Sequence, residues 1–160
     1  MSKEKFYKDL KEGEIGERIV AEFLKTKGYE IIEYNKDIKW DVMVRKNGVY
    51  QTLEIKTDRW EYFNWVTNNM FIETYCNNKP SGISATSADW FIYFFPDWEI
   101  AYSIKVKDLR QLMNERGDIF RITKRAGDNG LVTGRLINRK EWGHLFKTFI
   151  IKSNWQWTKK

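Results

Sequence analysis

The chain of 160 residues has one cysteine, one histidine and two prolines. A lone thiol, Cys76, excludes an internal disulfide and any zinc site built on several cysteines, and fits a reducing compartment. The single imidazole, His144, falls in a predicted helix beside Trp142, a packing or surface position. Long apolar runs are also missing. The longest, Trp90 to Phe95, is far short of the ~20 residues needed to span a bilayer. The opening segment MSKEKFYKDLKEGE is charged and lacks the apolar centre of a signal peptide. No phosphate-cradling loop is present either, because Gly127-Asp128-Asn129-Gly130 lacks the lysine and hydroxyl such a loop needs. Repeats, low-complexity tracts and linkers are absent. The expectation is a soluble cytoplasmic protein of one domain over 1–160, with no membrane partner, a short helix or arm at 1–12 and a C-terminal extension of the same domain at 118–160.

What the chain does have is positive charge and aromatic rings. The formal net charge is +6 and aromatic residues make up 16%, with a pI near 9.3. That balance permits a polyanionic partner and offers surfaces for stacking on bases.

The most informative stretch runs from Asp41 to Lys56. Asn47-Gly48 is the pair best suited to a two-residue type I′ turn, in which both central residues take positive φ. With that turn as the loop, Lys46 faces Val49, Met43 faces Thr52, Val42 faces Leu53 and Asp41 faces Glu54. Alternation then sends Val42, Val44, Leu53 and Ile55 to the core. Asp41, Met43, Thr52, Glu54 and Lys56 share the other face. Two carboxylates with Cβ atoms roughly 4.5–5.5 Å apart repel unless one is protonated or a cation lies between them. An all-oxygen site of this kind suits Mg²⁺ or Mn²⁺.

Around the hairpin the periodicity predicts further elements. Ile15, Ile19 and Phe23, with Val20 and Leu24 beside them, mark a helix over Glu14 to Lys27 ended by Gly28. Glu17 sits on the margin of its apolar stripe, either as a solvated charge or looking along the sheet. Strands are predicted over Tyr29 to Tyr34, Met70 to Tyr75, Trp90 to Phe95 and Glu99 to Lys105, the third unbroken in apolar character as a strand covered on both faces should be. The connection Thr57 to Asn69 is rich in aromatics, with Trp60, Tyr62, Phe63 and Trp65. Asn77 to Gly82 reads as a turn-rich loop, Val106 to Arg116 as a helix, Phe120 to Ile122 and Leu131 to Ile137 as short strands, and Arg139 to Phe146 as a short helix. The tail is basic and aromatic, with Lys147, Lys152, Trp155, Trp157, Lys159 and Lys160. The order implies an α/β (α+β) fold, one mixed sheet flanked by helices.

Glu17 in a first helix, Gly13 before it, Gly28-Tyr29 after it, Trp40-Asp41 at the start of a strand and Glu54-Ile55-Lys56 on the next resemble the PD-(D/E)xK nuclease superfamily, in particular the archaeal Holliday-junction resolvases within it. Trp40 stands where the family pattern has proline. The block from Lys79 to Trp90 also looks similar to small phage nuclease-like proteins. The resemblance covers about the first third of the chain and implies a restriction-endonuclease-like core and a metal-dependent DNA endonuclease, in that group acting as a homodimer on branched DNA. It implies that Asp41, Glu54 and the backbone carbonyl of Ile55 hold Mg²⁺ or Mn²⁺, that Glu17 completes the set directly or through water, and that Lys56 orients the attacking water. Arg59, Lys79, Ser81 and Thr86 are candidate nucleic-acid contacts. Glu73 leans toward the site or serves structure alone. Two alternatives stay open: a nucleic-acid-binding module of the same fold with little or no catalysis, and a phage protein-interaction domain in which the acidic pair is incidental.

Overall fold

A computed structural model describes residues 3–35, 39–59, 68–117, 120–126 and 131–152. Trp60, Tyr62, Phe63, Trp65, the loop at 127–130 and the tail residues Trp155, Trp157, Lys159 and Lys160 lie outside the described residues. Helix α1 spans Lys3–Thr26 without interruption, so the segment expected to be a short helix or arm is helical and continuous with the helix expected from Glu14. A glycine inside a helix costs about 1 kcal/mol against alanine, and this helix carries two. Gly13 has open space around it, whereas a Cβ on Gly16 would lie 1.8 Å from Thr57 Oγ1. Gly16 is therefore the price of close approach, and contact with the sheet carries the helix through it. The C-terminus closes as predicted: Gly28 has φ +81°, its N–H donates to Lys25 O, and Tyr29 N–H donates to Leu24 O.

Strands β1 (Glu30–Tyr34), β2 (Val42–Lys46) and β3 (Val49–Thr57) follow. Asn47 and Gly48 take φ of 51° and 77°. The register counted from the turn holds from Lys46↔Val49 to Val42↔Leu53. Next come β4 (Asn69–Cys76) and the two-residue β5 (Lys79–Pro80). Their turn, Asn77-Asn78, also has two positive φ values, so the predicted loop is a second tight hairpin. After β6 (Trp90–Phe95), β7 (Ile100–Lys105) and helix α2 (Val106–Glu115) come β8 (Arg121–Ala126), β9 (Val132–Asn138), the one-turn helix α3 (Arg139–Trp142) and β10 (Lys147–Ile150).

The fold class is as expected, a mixed sheet with helices, but the strands divide into two sheets. The larger has the order β1-β2-β3-β6-β7-β10 and the smaller β5-β4-β9-β8. Among the described residues, only β3 and β6 run parallel within the larger sheet. Strand β4 leaves this sheet to pair with β9. Alternating Met70 and Ile72 announce a half-buried strand but not which sheet it joins. The C-terminal residues are interleaved with the rest, since β9 pairs with β4 and β10 pairs with β7. Lys147 accordingly starts a strand. No helix among the described residues is long and apolar enough to cross a membrane.

Strand β6 divides the interior. Ile92 and Phe94 face α1, packing with Val20, Val42, Val44, Leu53 and Ile55. Phe91, Tyr93 and Phe95 face the smaller sheet and α2, packing with Met70, Ile72, Ile137 and Leu109. That two-sided burial explains its unbroken apolar sequence.

The two helix glycines respond in opposite senses to alanine. Gly13→Ala removes backbone freedom from the unfolded chain and meets no neighbour, so a gain of up to about 1 kcal/mol is expected. Gly16→Ala drives a methyl group into Thr57 and is expected to cost about 1–3 kcal/mol. Urea denaturation of both variants beside wild type measures the difference, and midpoints that shift in the same direction contradict the packing account.

Candidate active site

The predicted ladder ends at Val42, and Asp41 lies one residue before β2. Asp41 N–H donates to Leu53 O at 2.8 Å, the residue that Val42 already faces, so the regular pairing stops short of an Asp41–Glu54 pair. The Asp41 carboxylate instead lies across β3, and Oδ2 accepts the Ile55 N–H at 2.6 Å. A side chain has replaced a backbone carbonyl in the ladder. The result keeps Asp41 beside Glu54 and Lys56, whose charges both interact with it, and fixes its carboxylate more firmly than a freely rotating pair would.

Glu17 reaches the same place from α1, brought close by the glycine one residue before it. Burial pushes its carboxyl up to about 7, and the charges of Asp41, Glu14 and Glu54 push the same way, while Arg18 opposes them. Burial also raises Glu54 to about 7, followed by the charge of Asp41, while a hydrogen bond from Thr86 and the charge of Lys56 pull it down. Asp41 is raised by burial, against the Ile55 hydrogen bond and the charge of Lys56. The three carboxylates predicted from sequence therefore converge on one electrostatic site with Lys56. Among the described residues no three carboxylate, histidine or cysteine groups close into a ready-made metal cage. Two carboxylates with one backbone carbonyl fit Mg²⁺ better than such a cage does, because this ion keeps several waters and binds through one or two carboxylates plus substrate phosphate.

The remaining sequence candidates divide. Thr86 is buried, which corrects its reading as a nucleic-acid contact: Oγ1 lies 2.8 Å from Glu54 Oε2 and 2.9 Å from Lys39 O, and it accepts from Ala88 N–H. A hydroxyl has one proton to give. Lys39 O already accepts from Ser87 N–H at 2.8 Å, so the Thr86 proton is free to go to Glu54. Arg110 on α2 holds this loop by donating to Ile83 O and Thr86 O at 2.8 and 2.6 Å. Arg59 is also corrected. It is 5% exposed and its guanidinium lies 3.4 Å from Glu12 and 3.7 Å from Asp97, so it ties α1 to the turn after β6 rather than facing a phosphate. Ser81 donates its hydroxyl to Glu73 Oε1. Lys79 is exposed on the β4–β5 hairpin.

One group escaped the sequence reading. Asp58 N–H donates to Phe94 O at 2.9 Å, so the strand direction continues and Glu54, Lys56 and Asp58 follow one another on one face. Its carboxylate accepts from the Tyr93 hydroxyl at 2.7 Å, and that hydroxyl accepts the Phe71 N–H at 3.1 Å. Tyr93 is fully buried, and burial raises its phenol well above the ordinary value. This buried chain fastens the smaller sheet to the end of β3. The period-two spacing marks Asp58, but its tyrosine partner is visible only in three dimensions.

Glutamates in an unfolded chain titrate near ~4.3, whereas Glu17 and Glu54 hold protons to about 7 in the folded protein. The folded state thus binds more protons across that window. Stability in chelator is fully present below about pH 4.5 and is lost as pH rises through about 7. Thermal unfolding followed from about pH 5 to 8 is expected to show a falling Tm, with a shallower slope in Glu17→Gln and Glu54→Gln. An identical slope in both variants and wild type contradicts the clustering. Because the Thr86 hydroxyl lowers Glu54, Thr86→Val is expected to move the window of falling Tm upward in pH, and Thr86→Ser to leave it in place. Equal windows in the two variants would remove Thr86 from the site.

No protein-family model and no curated protein matches the chain. Among solved structures it is similar to a bacterial homing endonuclease, with a TM-score of 0.49 and 12% identity over 61% of this chain and 68% of that one.

Proposed function

We propose that the chain is a DNA endonuclease that hydrolyses phosphodiester bonds with the help of Mg²⁺ or Mn²⁺. The observation that carries this reading is the electrostatic coupling of Glu17, Asp41 and Glu54, with Asp41 held beside Lys56 by the Ile55 N–H and with Glu17 and Glu54 raised to about 7 by burial and mutual repulsion. Structural ion pairs relieve charge, whereas this arrangement accumulates it. Asp41, Glu54 and the Ile55 carbonyl would hold the cation. When bound, it would polarise the scissile phosphate and lower the pKa of a bound water. Lys56 orients that water and offsets charge that builds on the phosphate oxygens. Glu17 completes the set of oxygen donors from the helix side. Thr86 keeps the Glu54 carboxylate turned toward the site. The resemblance of the first third of the chain to junction resolvases extends the proposal to branched DNA and to a homodimer with one site for each strand.

A second reading, a DNA-binding module with little catalysis, is favoured by the absence of a closed carboxylate cage among the described residues. One assay separates the two. Linear, single-stranded, flapped and four-way-junction DNA are incubated with wild type in Mg²⁺ or Mn²⁺, then with chelator, beside Asp41→Asn and Lys56→Ala. The expected result is metal-dependent cutting, reduced about a hundredfold or more in each variant. Cutting that survives both substitutions removes the site assignment. DNA binding without cutting in any metal supports the binding module.

A further inference from the structure

Beside the catalytic face lies a cleft of about 290 Å³ that shares Glu54, Ile55 and Lys56 with it. Its other lining is of a different character. Phe71, Phe91 and Ile83 give it an apolar floor, and Glu73 and Ser81 stand on its wall. Phe91 and Ile83 belong to the core, whereas Phe71 is only half-buried and so offers ring surface to a ligand.

Glu73 is held there by three separate devices. The β4–β9 register shifts between Glu73 and Tyr75, and a bulge of this kind re-aims a side chain. The Ser81 hydroxyl donates to Oε1. Gly82 has φ +49°, and a Cβ there would lie 2.6 Å from Glu73 O and 2.8 Å from Glu73 Cβ, so only glycine lets this loop close on the strand. A solvated surface charge needs none of these. The second carboxylate oxygen remains available as an acceptor on the cleft wall.

We infer that this cleft receives an unpaired nucleobase next to the phosphate being cut, an inference that rests on the nuclease reading above. An aromatic ring stacks on any base. A carboxylate accepts hydrogen bonds from an exocyclic amine, as on cytosine, and repels the phosphate backbone, so a base and not a second phosphate fits the wall. In an intact duplex the base edge is paired and stacked inside the helix. A base at a bulge, flap or junction enters the cleft at little cost. The substrate class is therefore DNA with an unpaired nucleotide, able to donate a hydrogen bond from its free edge, beside the scissile bond. An abasic site, with neither ring nor donor, is the poor ligand.

The test uses the full chain and duplexes carrying a single bulged cytosine, a bulged thymine, a bulged abasic site or no bulge. Cleavage in Mn²⁺ gives kcat/KM for each, and bulged 2-aminopurine reports base capture by fluorescence in chelator. Bulged cytosine and bulged thymine are each expected to be cut about tenfold better than the abasic site or the unbulged duplex, which corresponds to about 1.4 kcal/mol. Phe71→Ala is expected to abolish the 2-aminopurine signal. Glu73→Met, of similar length and expected to fold, presents no strong acceptor and is expected to lower the cutting of bulged cytosine and bulged thymine towards that of the abasic site. Equal cutting of all four duplexes overturns the base site and leaves the nuclease reading standing. If nothing is cut in any metal, the nuclease reading fails and fluorescence alone decides the cleft: a change lost in Phe71→Ala supports it, and the same change in that variant overturns it.

Discussion

The Ile55 amide is the point on which the candidate site depends. Its N–H is given to a side chain and not to a neighbouring strand, and the recipient is the Asp41 carboxylate at 2.6 Å. A backbone donor cannot rotate away, so this one bond fixes the carboxylate relative to β3 and therefore relative to Glu54 and Lys56, which flank Ile55 in sequence. A charge-assisted bond of this sort is stronger than a neutral one. It also offsets part of what burying Asp41 costs. The departure of β2 from regular pairing is the means of making that bond, because a strand continuing in register would have filled the same donor with a carbonyl.

The repulsion so created is contained by packing. Apolar layers on both sides of β6 surround the charges with a rigid frame, and a hydrogen bond from Thr86 reaches Glu54, as bonds from Tyr93 and Ser81 reach the neighbouring Asp58 and Glu73. Burial that raises the carboxyls and bonds that restrain them come from the same elements. Electrostatic tension and structural order at this site are thus two effects of one arrangement.

How much of this can be read from sequence follows from range. The hairpin register is local, written in an Asn-Gly pair and an alternation of side chains, and it holds as far as Val42 and Leu53. Glu17 could be placed on the margin of the helix stripe, though not against the carboxylates, since that needs Gly16 seated on Thr57. Thr86 and Glu54 are 32 positions apart and Tyr93 and Asp58 are 35 apart, so nothing in their spacing could reveal them. Arg59 was misread for a related reason. Whether a cation that follows a strand turns to solvent or inward is decided by what waits there, and here Glu12 and Asp97 wait inside. The division into two sheets was also hidden, because alternation tells a strand which face is buried but not beside which strand it will lie.

Arg110, clamped on the carbonyls of Ile83 and Thr86, has a consequence for the order in which the chain is made. Every carboxylate of the candidate site and Lys56 itself lie within the first 56 residues, and they emerge from synthesis first. The strand that pairs in parallel with β3, the threonine that restrains Glu54 and the arginine that secures that threonine come only with the second half. A nascent chain halted at the hairpin holds all of these carboxylates with only the Ile55 amide to restrain them. The carboxylates gain their full set of restraints only when α2 has been added.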